Sequence, residues 1–319
     1  MVHKSSPLRL VPDAAERPAS PPAARRLGAV ELVPGRVRAA VLSMAGRVLD
    51  RTESSYDAAT ATPADIDRAL AAAAGCFAAH ELQGIGVAAA GLVDPLTGLI
   101  LEVNDVPALH GYPVTERLGA LTGAGVRVEH RARLQVLGDR WFGAGRGRRT
   151  FASVSTGEVL GVGVLYDGEV MAPPGGRSGA DMTVSASGER CTCGNRGCWK
   201  TLATTGWLRA RARAAGLGDA VSLDALVNGG DALAGRVVEE YAHNLALGLV
   251  NVQQLFAPGL FILHGEAREG GERFRTVVEE RLQNAVAFVG AEQPRVLVGT
   301  GAVDDVALLG GAGLVLSHL

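Results

Sequence analysis

The sequence predicts an α/β protein of two lobes, each a mixed sheet flanked by helices. Two observations support this. The composition, with 43 Gly and only 4% aromatic residues, is typical of tight turns and closely packed small side chains. Short strand-like runs also alternate with longer runs of helical period along the chain. The 319 residues, 47% of them hydrophobic, are enough for two cores. A ligand would then lie in the cleft between the lobes.

The first ordered elements follow a proline-rich arm. Residues 1–27 are predicted to be disordered, because five prolines interrupt them and no sustained period is present. An antiparallel meander begins near residue 27, with turns at Pro34-Gly35 and Ala45-Gly46. Thr62 and Pro63 then open a helix, and a buried strand covers residues 84–91.

A second run of elements has a similar order. It contains a strand at 126–129, a helix at 132–142, a strand at 151–155, a hairpin turning at Asp167-Gly168, helices at 202–215, 237–256 and 274–289, and strands at 260–264 and 295–298. We expect a first lobe over residues 28–129 and a second over 130–303.

Charge and cysteine usage exclude several classes of protein. The 31 Lys+Arg against 33 Asp+Glu give a net charge of -2, so no overall field attracts nucleic acid or a membrane. Neither a targeting segment nor a membrane span is predicted, and three of the four cysteines lie too close together for a disulfide framework. We expect a soluble, cytoplasmic protein that does not bind DNA directly.

Several motifs together resemble the ROK family of repressors, open reading frames and sugar kinases. The motifs are the segment from Gly161 to Val170, the cysteine signature Cys191-Thr-Cys-Gly-Asn-Arg-Gly-Cys198, Gly91-Leu-Val-Asp-Pro-Leu-Thr-Gly98, Asn104 with Pro107, Arg140-Trp-Phe-Gly-Ala-Gly145, Gly265-Glu266 and Ala307-Leu-Leu-Gly-Gly-Ala-Gly313. The resemblance implies the actin-like ATPase fold of hexokinases and Hsp70, with a last helix at 304–319 packing back on the first lobe. It also implies a dimer or tetramer.

The sequence departs from the family where sugar kinases do their chemistry. The phosphate loop D-x-G-G-T corresponds to Glu31-Leu-Val-Pro-Gly35, in which Pro34 has no N–H for a phosphate. The catalytic Asp of N-D-x-N corresponds to Arg131, whose guanidinium has no lone pair to accept a proton. We therefore assign no catalytic residue and expect no sugar kinase activity.

At the positions that correspond to the family's sugar pocket, neutral or basic residues replace acidic ones. The family's sugar-binding Glu corresponds to Ser178, and a second Glu corresponds to Lys200. The predicted ligand-binding residues are Asn104, His130, Arg131, Arg133, Arg177, Ser178 and Lys200. Their donors suit an anionic sugar or a small acid. The alternative is an abandoned cleft whose basic residues are solvated or paired with acids such as Glu129 and Asp139.

The cysteine cluster predicts a structural zinc site. Cys191, Cys193 and Cys198 have the spacing of a zinc knuckle, and Asp181 stands where the family has a His ligand. Two alternatives remain open: buried structural thiols, or loss of the metal together with that His. The turn containing Thr156, Gly157 and Gly161 corresponds to a second phosphate loop, so ATP with Mg²⁺ could bind without transfer, although such turns are common.

These observations lead to one main hypothesis and two alternatives. The main hypothesis is a pseudokinase that senses a ligand or regulates a partner, as ROK repressors do, although residues 1–27 are too short for a helix-turn-helix. One alternative is a phosphotransferase acting on an atypical anionic substrate with a relocated base such as Glu129. The other is an enzyme of different chemistry.

Overall fold

A computed structural model describes residues 25–104, 106–172, 178–219, 221–286, 293–299 and 305–319. The chain divides into two compact units. The first comprises Met1–Gly147, Glu169–Gly176 and Asp304–Leu319, and the second comprises Arg148–Gly168 and Arg177–Val303.

Strands and helices alternate along the described chain, which confirms the α/β class. The strands are β1 Arg26–Val33, β2 Arg36–Ser43, β3 Val48–Ser55, β4 Leu82–Ala89, β5 Leu92–Asp94, β6 Leu99–Glu102, β7 Val126–His130, β8 Phe151–Thr156, β9 Gly161–Tyr166, β10 Glu169–Val170, β11 Leu260–Gly265 and β12 Arg295–Val298. The helices are α1 Pro63–Ala74, α2 Val114–Thr122, α3 Arg131–Trp141, α4 Thr205–Ala214, α5 Leu223–Asn228, α6 Ala232–Phe256, α7 Gly271–Ala285 and α8 Val306–Leu316.

The first unit is built on a five-stranded sheet in the order β3-β2-β1-β4-β7. Strands β1, β2 and β3 form the expected antiparallel meander, and β4 and β7 extend it in parallel. Strand β1 begins at Arg26, and Leu27 is fully buried in one cluster with Leu308 and Ala312 of α8, so residues 26 and 27 belong to the sheet and not to the expected arm. The rest of that expected arm, residues 1–24, lies outside the described part of the chain.

Glycines bring α8 and α3 against this sheet. A Cβ on Gly86 of β4 would lie 2.0 Å from the carbonyl oxygen of Gly311 in α8, so only glycine allows this approach. Gly310 is packed as closely on Leu134 of α3. Because α3 packs on α8, it belongs to the first unit, whereas the expected boundary at residues 129/130 would assign it to the second lobe.

The second unit has its own sheet and core. Within this unit the strand order is β9-β8-β11-β12, in which β8, β11 and β12 are parallel. The turn after β9 has positive φ angles at Asp167 (50°) and Gly168 (84°), as the expected hairpin requires. The core contains stacked rings of Trp207, Tyr241 and Phe274. In the residues searched, no helix has both the length and the apolar character that crossing a bilayer requires.

Candidate functional site

A buried ion cluster in the first unit contains Glu31 and Arg131, the two residues that the resemblance aligns with the phosphate loop and the catalytic base of the kinases. Glu31 lies on β1 opposite Arg38 of β2, and Arg38 donates from Nε to Glu31 Oε2 at 2.8 Å. Arg131, the first residue of α3, donates from Nε to the other oxygen, Oε1, also at 2.8 Å. One carboxylate therefore holds two guanidinium groups, one on each oxygen.

The cluster carries excess positive charge. Burial works to raise the pKa of Glu31, but Arg131 and Arg38 outweigh it, and the pKa lies below its usual 4.5. The Glu31 side chain is 1% exposed, whereas that of Arg131 is 25% exposed. Arg131 makes no other hydrogen bond or ion pair with the described residues, so both of its Nη groups are without partners there.

The first hairpin turn is closed by a tyrosine. The Tyr56 hydroxyl donates to the carbonyl of Val33 at 2.7 Å, and the Tyr56 N–H donates to the carbonyl of Gly35 at 3.0 Å. Gly35 has φ 80°, which suits the second central position of a turn after Pro34. Burial raises the pKa of Tyr56 to about 12, so its hydroxyl stays a donor at neutral pH. The segment corresponding to the phosphate loop is thus a compact turn.

Glu129, His130 and Arg133, around the start of α3, make hydrogen bonds or ion pairs within the chain. Glu129 is buried, and its Oε1 accepts from the His130 N–H and from Arg133 at 3.2 Å. Burial raises the pKa of Glu129 although Arg133 opposes it, and its Oε2 has no hydrogen-bond partner in the described chain. The ring Nδ1 of His130 accepts from the Ala132 N–H at 3.1 Å and caps α3. Arg133 is buried as well.

The other expected ligand-binding residues lie in different parts of the chain. Asn104 is exposed in a turn after β6 of the first unit. Ser178 lies in the second unit, where its carbonyl accepts from the Val162 N–H at 2.7 Å. Arg177 lies outside the described residues. Among the expected residues that the structure describes in the first unit, His130, Arg131 and Arg133 stand together at the start of α3.

The second phosphate-loop candidate lies at the ends of the parallel strands β8 and β11. The Thr156 hydroxyl is buried, donates to the His264 carbonyl at 2.6 Å and accepts from the Ala267 N–H at 2.8 Å. Gly157, with φ 125°, accepts from the Thr205 N–H at 3.0 Å. Gly161 starts β9 and pairs with Ser155.

A carboxylate borders this second turn. A Cβ on Gly157 would lie 3.9 Å from the Cβ of Glu266. The Thr205 hydroxyl donates to Glu266. Burial raises the pKa of Glu266 in spite of that hydrogen bond, and the negative charge of Glu269 adds to the rise. The immediate surroundings of Gly157 therefore disfavour an anion.

A group of potential metal ligands lies in the second unit. One ligand atom from each of Asp181, Cys191, Cys193 and Cys198 lies within 4.8 Å of the others. Thiolate sulfurs bound to a tetrahedral Zn²⁺ at about 2.3 Å are compatible with that separation. The cysteines are free thiols, and the Sγ atoms of Cys193 and Cys198 are 3.4 Å apart. The predicted residues are thus brought together and fit a metal ion.

Backbone hydrogen bonds and one aromatic side chain hold this group in place. Cys198 forms an antiparallel bridge with Thr183, and Trp199 follows it into the core. The Trp199 indole donates from Nε1 to the Asn244 carbonyl of α6 at 3.0 Å. A Cβ on Gly248 would lie 2.2 Å from the Trp199 ring, so α6 accepts this ring only because residue 248 is glycine.

Lys200 lies beside these four potential metal ligands, which we call the metal group. Its ammonium lies 2.8 Å from Asp181 Oδ1. The predicted anion ligand is therefore already paired with a carboxylate.

Two residues around these sites were not singled out from the sequence. Arg38 could have been found by counting the hairpin register outward from Pro34-Gly35, which pairs residue 31 with residue 38. Tyr56 carries no local signal, because its partner Val33 lies 23 residues earlier. Glu266 was noted as part of the motif Gly265-Glu266 but was given no role, and its hydrogen bond with Thr205 was not foreseen.

Comparison with known proteins identifies the family of this chain. The chain matches the model of the ROK family over residues 28–318. It is 27% identical over 263 residues to a glucokinase of Thermotoga maritima, covering 75% of this chain and 81% of the relative. It is 28% identical over 262 residues to the N-acetylglucosamine repressor of Escherichia coli O157:H7, covering 75% of this chain and 64% of the repressor. The chain therefore belongs to the ROK family.

Solved structures support the same fold. A ROK family glucokinase from Streptomyces griseus, in complex with glucose and AMPPNP, superposes with a TM-score of 0.77 at 24% identity and covers 91% of this chain and 98% of its own. A ROK family transcriptional regulator, a homologue of the Escherichia coli MLC protein, gives a TM-score of 0.80 at 21% identity, covering 92% of this chain and 78% of its own. At these identities the likeness concerns the fold, and the expected actin-like ATPase fold is confirmed.

Proposed function

We propose that this ROK protein does not transfer phosphate and acts as a ligand-responsive regulatory protein that binds a small anion at Arg131. The observation that carries the proposal is the arrangement of Arg131, whose Nε is held by the buried Glu31 while its Nη groups have no partner among the described residues. An anchored guanidinium presents its remaining donors in a fixed direction, and this fork matches a carboxylate or phosphate.

Loss of phosphate transfer follows from the residue at the base position. A general base must accept a proton from the attacking hydroxyl, and a guanidinium stays protonated at any physiological pH. Glu31 cannot take over this role, because its two oxygens already accept from Arg38 and Arg131 and its pKa is low. Glu129 is no better placed, because its free oxygen is buried. The alternative of a relocated carboxylate base therefore gains no support from Glu129.

Both turns that correspond to phosphate loops are also unsuited to nucleotide. In the first, Pro34 offers no N–H, and Tyr56 ties the backbone on both sides of it. In the second, the side chain of Glu266 lies beside Gly157. A phosphate there would meet a carboxylate of like charge.

The experiment that tests the anion proposal is a calorimetric titration of matched ligand pairs. Glucose 6-phosphate is compared with glucose, and N-acetylglucosamine 6-phosphate with N-acetylglucosamine. We expect the phosphorylated member of a pair to bind more tightly. Truncating a charge-assisted hydrogen bond in Arg131→Gln should weaken that binding by about 1.5–3 kcal/mol, roughly 10- to 150-fold.

Arg127→Ala is the matched control for this titration. Arg127 lies on β7, four residues before Arg131, and is exposed, so its removal takes away one nearby positive charge outside the cluster. Affinity should remain close to that of the unmodified protein. Equal binding of charged and neutral sugars, or equal losses in the two variants, would count against an anion site at Arg131.

We also propose that the cysteine group holds a structural Zn²⁺ through Asp181, Cys191, Cys193 and Cys198. The separation of the four ligand atoms and the choice of three thiols with one carboxylate support it. A metal there would link the segment of Asp181 to the cysteine loop and would contribute to folding of the second unit.

A further inference from the structure

The ion pair between Lys200 and Asp181 has a function of its own in the metal group. We propose that Lys200 is a positioning residue that orients the Asp181 carboxylate as a metal ligand and offsets part of the negative charge of the ligand set. The inference rests on the proposed zinc site. It also gives Lys200 a different role from the expected contact with an anionic ligand.

Backbone register puts the two side chains together. The Trp199 N–H donates to the Met182 carbonyl at 2.8 Å, and the Lys200 N–H donates to the Ala180 carbonyl at 3.0 Å. These hydrogen bonds align the segment after Cys198 with the segment that carries Asp181. The main chain therefore brings the two residues side by side, and the Lys200 ammonium lies 2.8 Å from Asp181 Oδ1.

The ion pair between Lys200 and Asp181 is less exposed to solvent than the surface ion pairs of this chain, so water screens it less. The side chains of Lys200 and Asp181 are 24% and 20% exposed, in contrast to surface pairs such as Arg149 with Asp167, at 67% and 75%. A carboxylate that binds a metal through one oxygen accepts a hydrogen bond at the other, and this outer contact sets its orientation. The ion pair of Lys200 with Asp181 Oδ1 gives this carboxylate an outer partner of that kind.

The charge of the ligand set gives a second reason. Three thiolates and one carboxylate bring four negative charges to a divalent ion, which leaves a net charge of −2 in a partly buried site. Charge that is buried without compensation is unfavourable. The ammonium of Lys200 reduces the net charge to −1. A neutral ligand such as histidine at position 181 would produce the same total without a lysine.

The test measures metal affinity in the purified full-length chain, with Zn²⁺ removed by a chromophoric chelator and Co²⁺ as the spectroscopic probe. The variants are Lys200→Met, Asp181→Asn and both together. Arg196→Met is the matched control, because Arg196 is an exposed cation in the same loop. Circular dichroism monitors folding, and Lys200→Gln replaces Lys200→Met if the latter is unfolded when isolated.

We expect Lys200→Met to lower metal affinity about 10- to 100-fold, as loss of an outer-shell partner does. The Co²⁺ ligand-field bands should change with it, and Arg196→Met should behave as the unmodified protein does. In the Asp181→Asn background the lysine substitution should have a smaller effect, because the carboxylate it orients is gone and the ligand set carries one negative charge fewer. The same reduction is expected in an Asp181→His background.

Three results would overturn the inference. Unchanged affinity and spectrum in Lys200→Met would leave the zinc proposal intact and remove the role of Lys200. An equal loss in the Asp181→Asn background would show that the lysine acts by another route. A folded protein with reduced thiols and no metal would remove the zinc site itself, and the role of Lys200 with it.

Discussion

Replacing Glu31 with Gln tests the buried ion cluster directly. The substitution keeps the size and one oxygen acceptor of the side chain but removes the charge that Arg38 and Arg131 share. The Arg38 side chain is only 10% exposed, so the substitution takes a close counter-charge away from a guanidinium in the protein interior. Breaking a buried pair in this way costs about 3–5 kcal/mol. Arg131 is 25% exposed and partly hydrated, so we expect a total near the lower limit, about 3 kcal/mol.

The pH dependence of the effect has a definite sign. The folded pKa of Glu31 is lower than its usual 4.5, so the charged form stabilises the fold at pH values above about 4.5. That contribution is lost as the pH falls from there through the folded pKa. The difference in unfolding free energy between the unmodified protein and Glu31→Gln should therefore be full at pH 7 and should shrink in more acidic buffer.

Urea unfolding at pH 7 and at lower pH measures both quantities. Asp167→Asn is the control, because it removes the same charge from an exposed pair with Arg149 and asparagine tolerates the positive φ at this turn. Its effect should be about 0–1 kcal/mol. The reasoning is refuted if the two variants lose the same stability, or if the loss in Glu31→Gln is independent of pH.

Three further predictions follow from the structure. ATP-dependent phosphorylation of glucose, N-acetylglucosamine and N-acetylmannosamine should be undetectable in a coupled assay, and turnover of roughly 1–100 s⁻¹ would contradict the loss of phosphate transfer. Metal analysis of protein prepared without added zinc should find about one Zn²⁺ per chain, and a folded, reduced, metal-free protein would contradict this. Gly86→Ala should destabilise the first unit in urea by about 1–3 kcal/mol through its clash with Gly311, whereas Gly235→Ala, in open space on α6, should stabilise by up to about 1 kcal/mol.

Local features of the fold were predictable because their causes are local. The turns at Pro34-Gly35 and Asp167-Gly168 depend on residues that tolerate particular backbone angles, and both occur where the sequence indicates. The helix that begins at Pro63 follows a capping residue. The unit to which α3 belongs was harder to predict from the sequence. Its assignment to the first unit depends on close packing between Gly310 and Leu134, which no local pattern reveals.

The candidate sites were predictable in their residue types and less so in their contacts. The group of potential metal ligands could be predicted because the three cysteines lie within eight residues and Asp181 precedes them by ten residues. The partner of Arg131 was not found, because Glu31 lies 100 residues earlier and meets it only through the sheet. Two of the arginines expected to bind an anion therefore differ in their environment. Arg133 is buried against Glu129, whereas Arg131 has donors without a partner among the described residues.

The contact of Trp199 with α6 gives the chain an intrinsic optical reporter of the metal group. Trp199 follows Cys198 directly, is fully buried, and is held by the Asn244 carbonyl and by the space over Gly248. If the proposed Zn²⁺ is bound, any movement of Cys198 on its removal is transmitted to an indole inside the core of the second unit. The fluorescence of Trp199 would then follow removal of the proposed metal without a label, with Trp141 and Trp207 replaced by phenylalanine to isolate the signal.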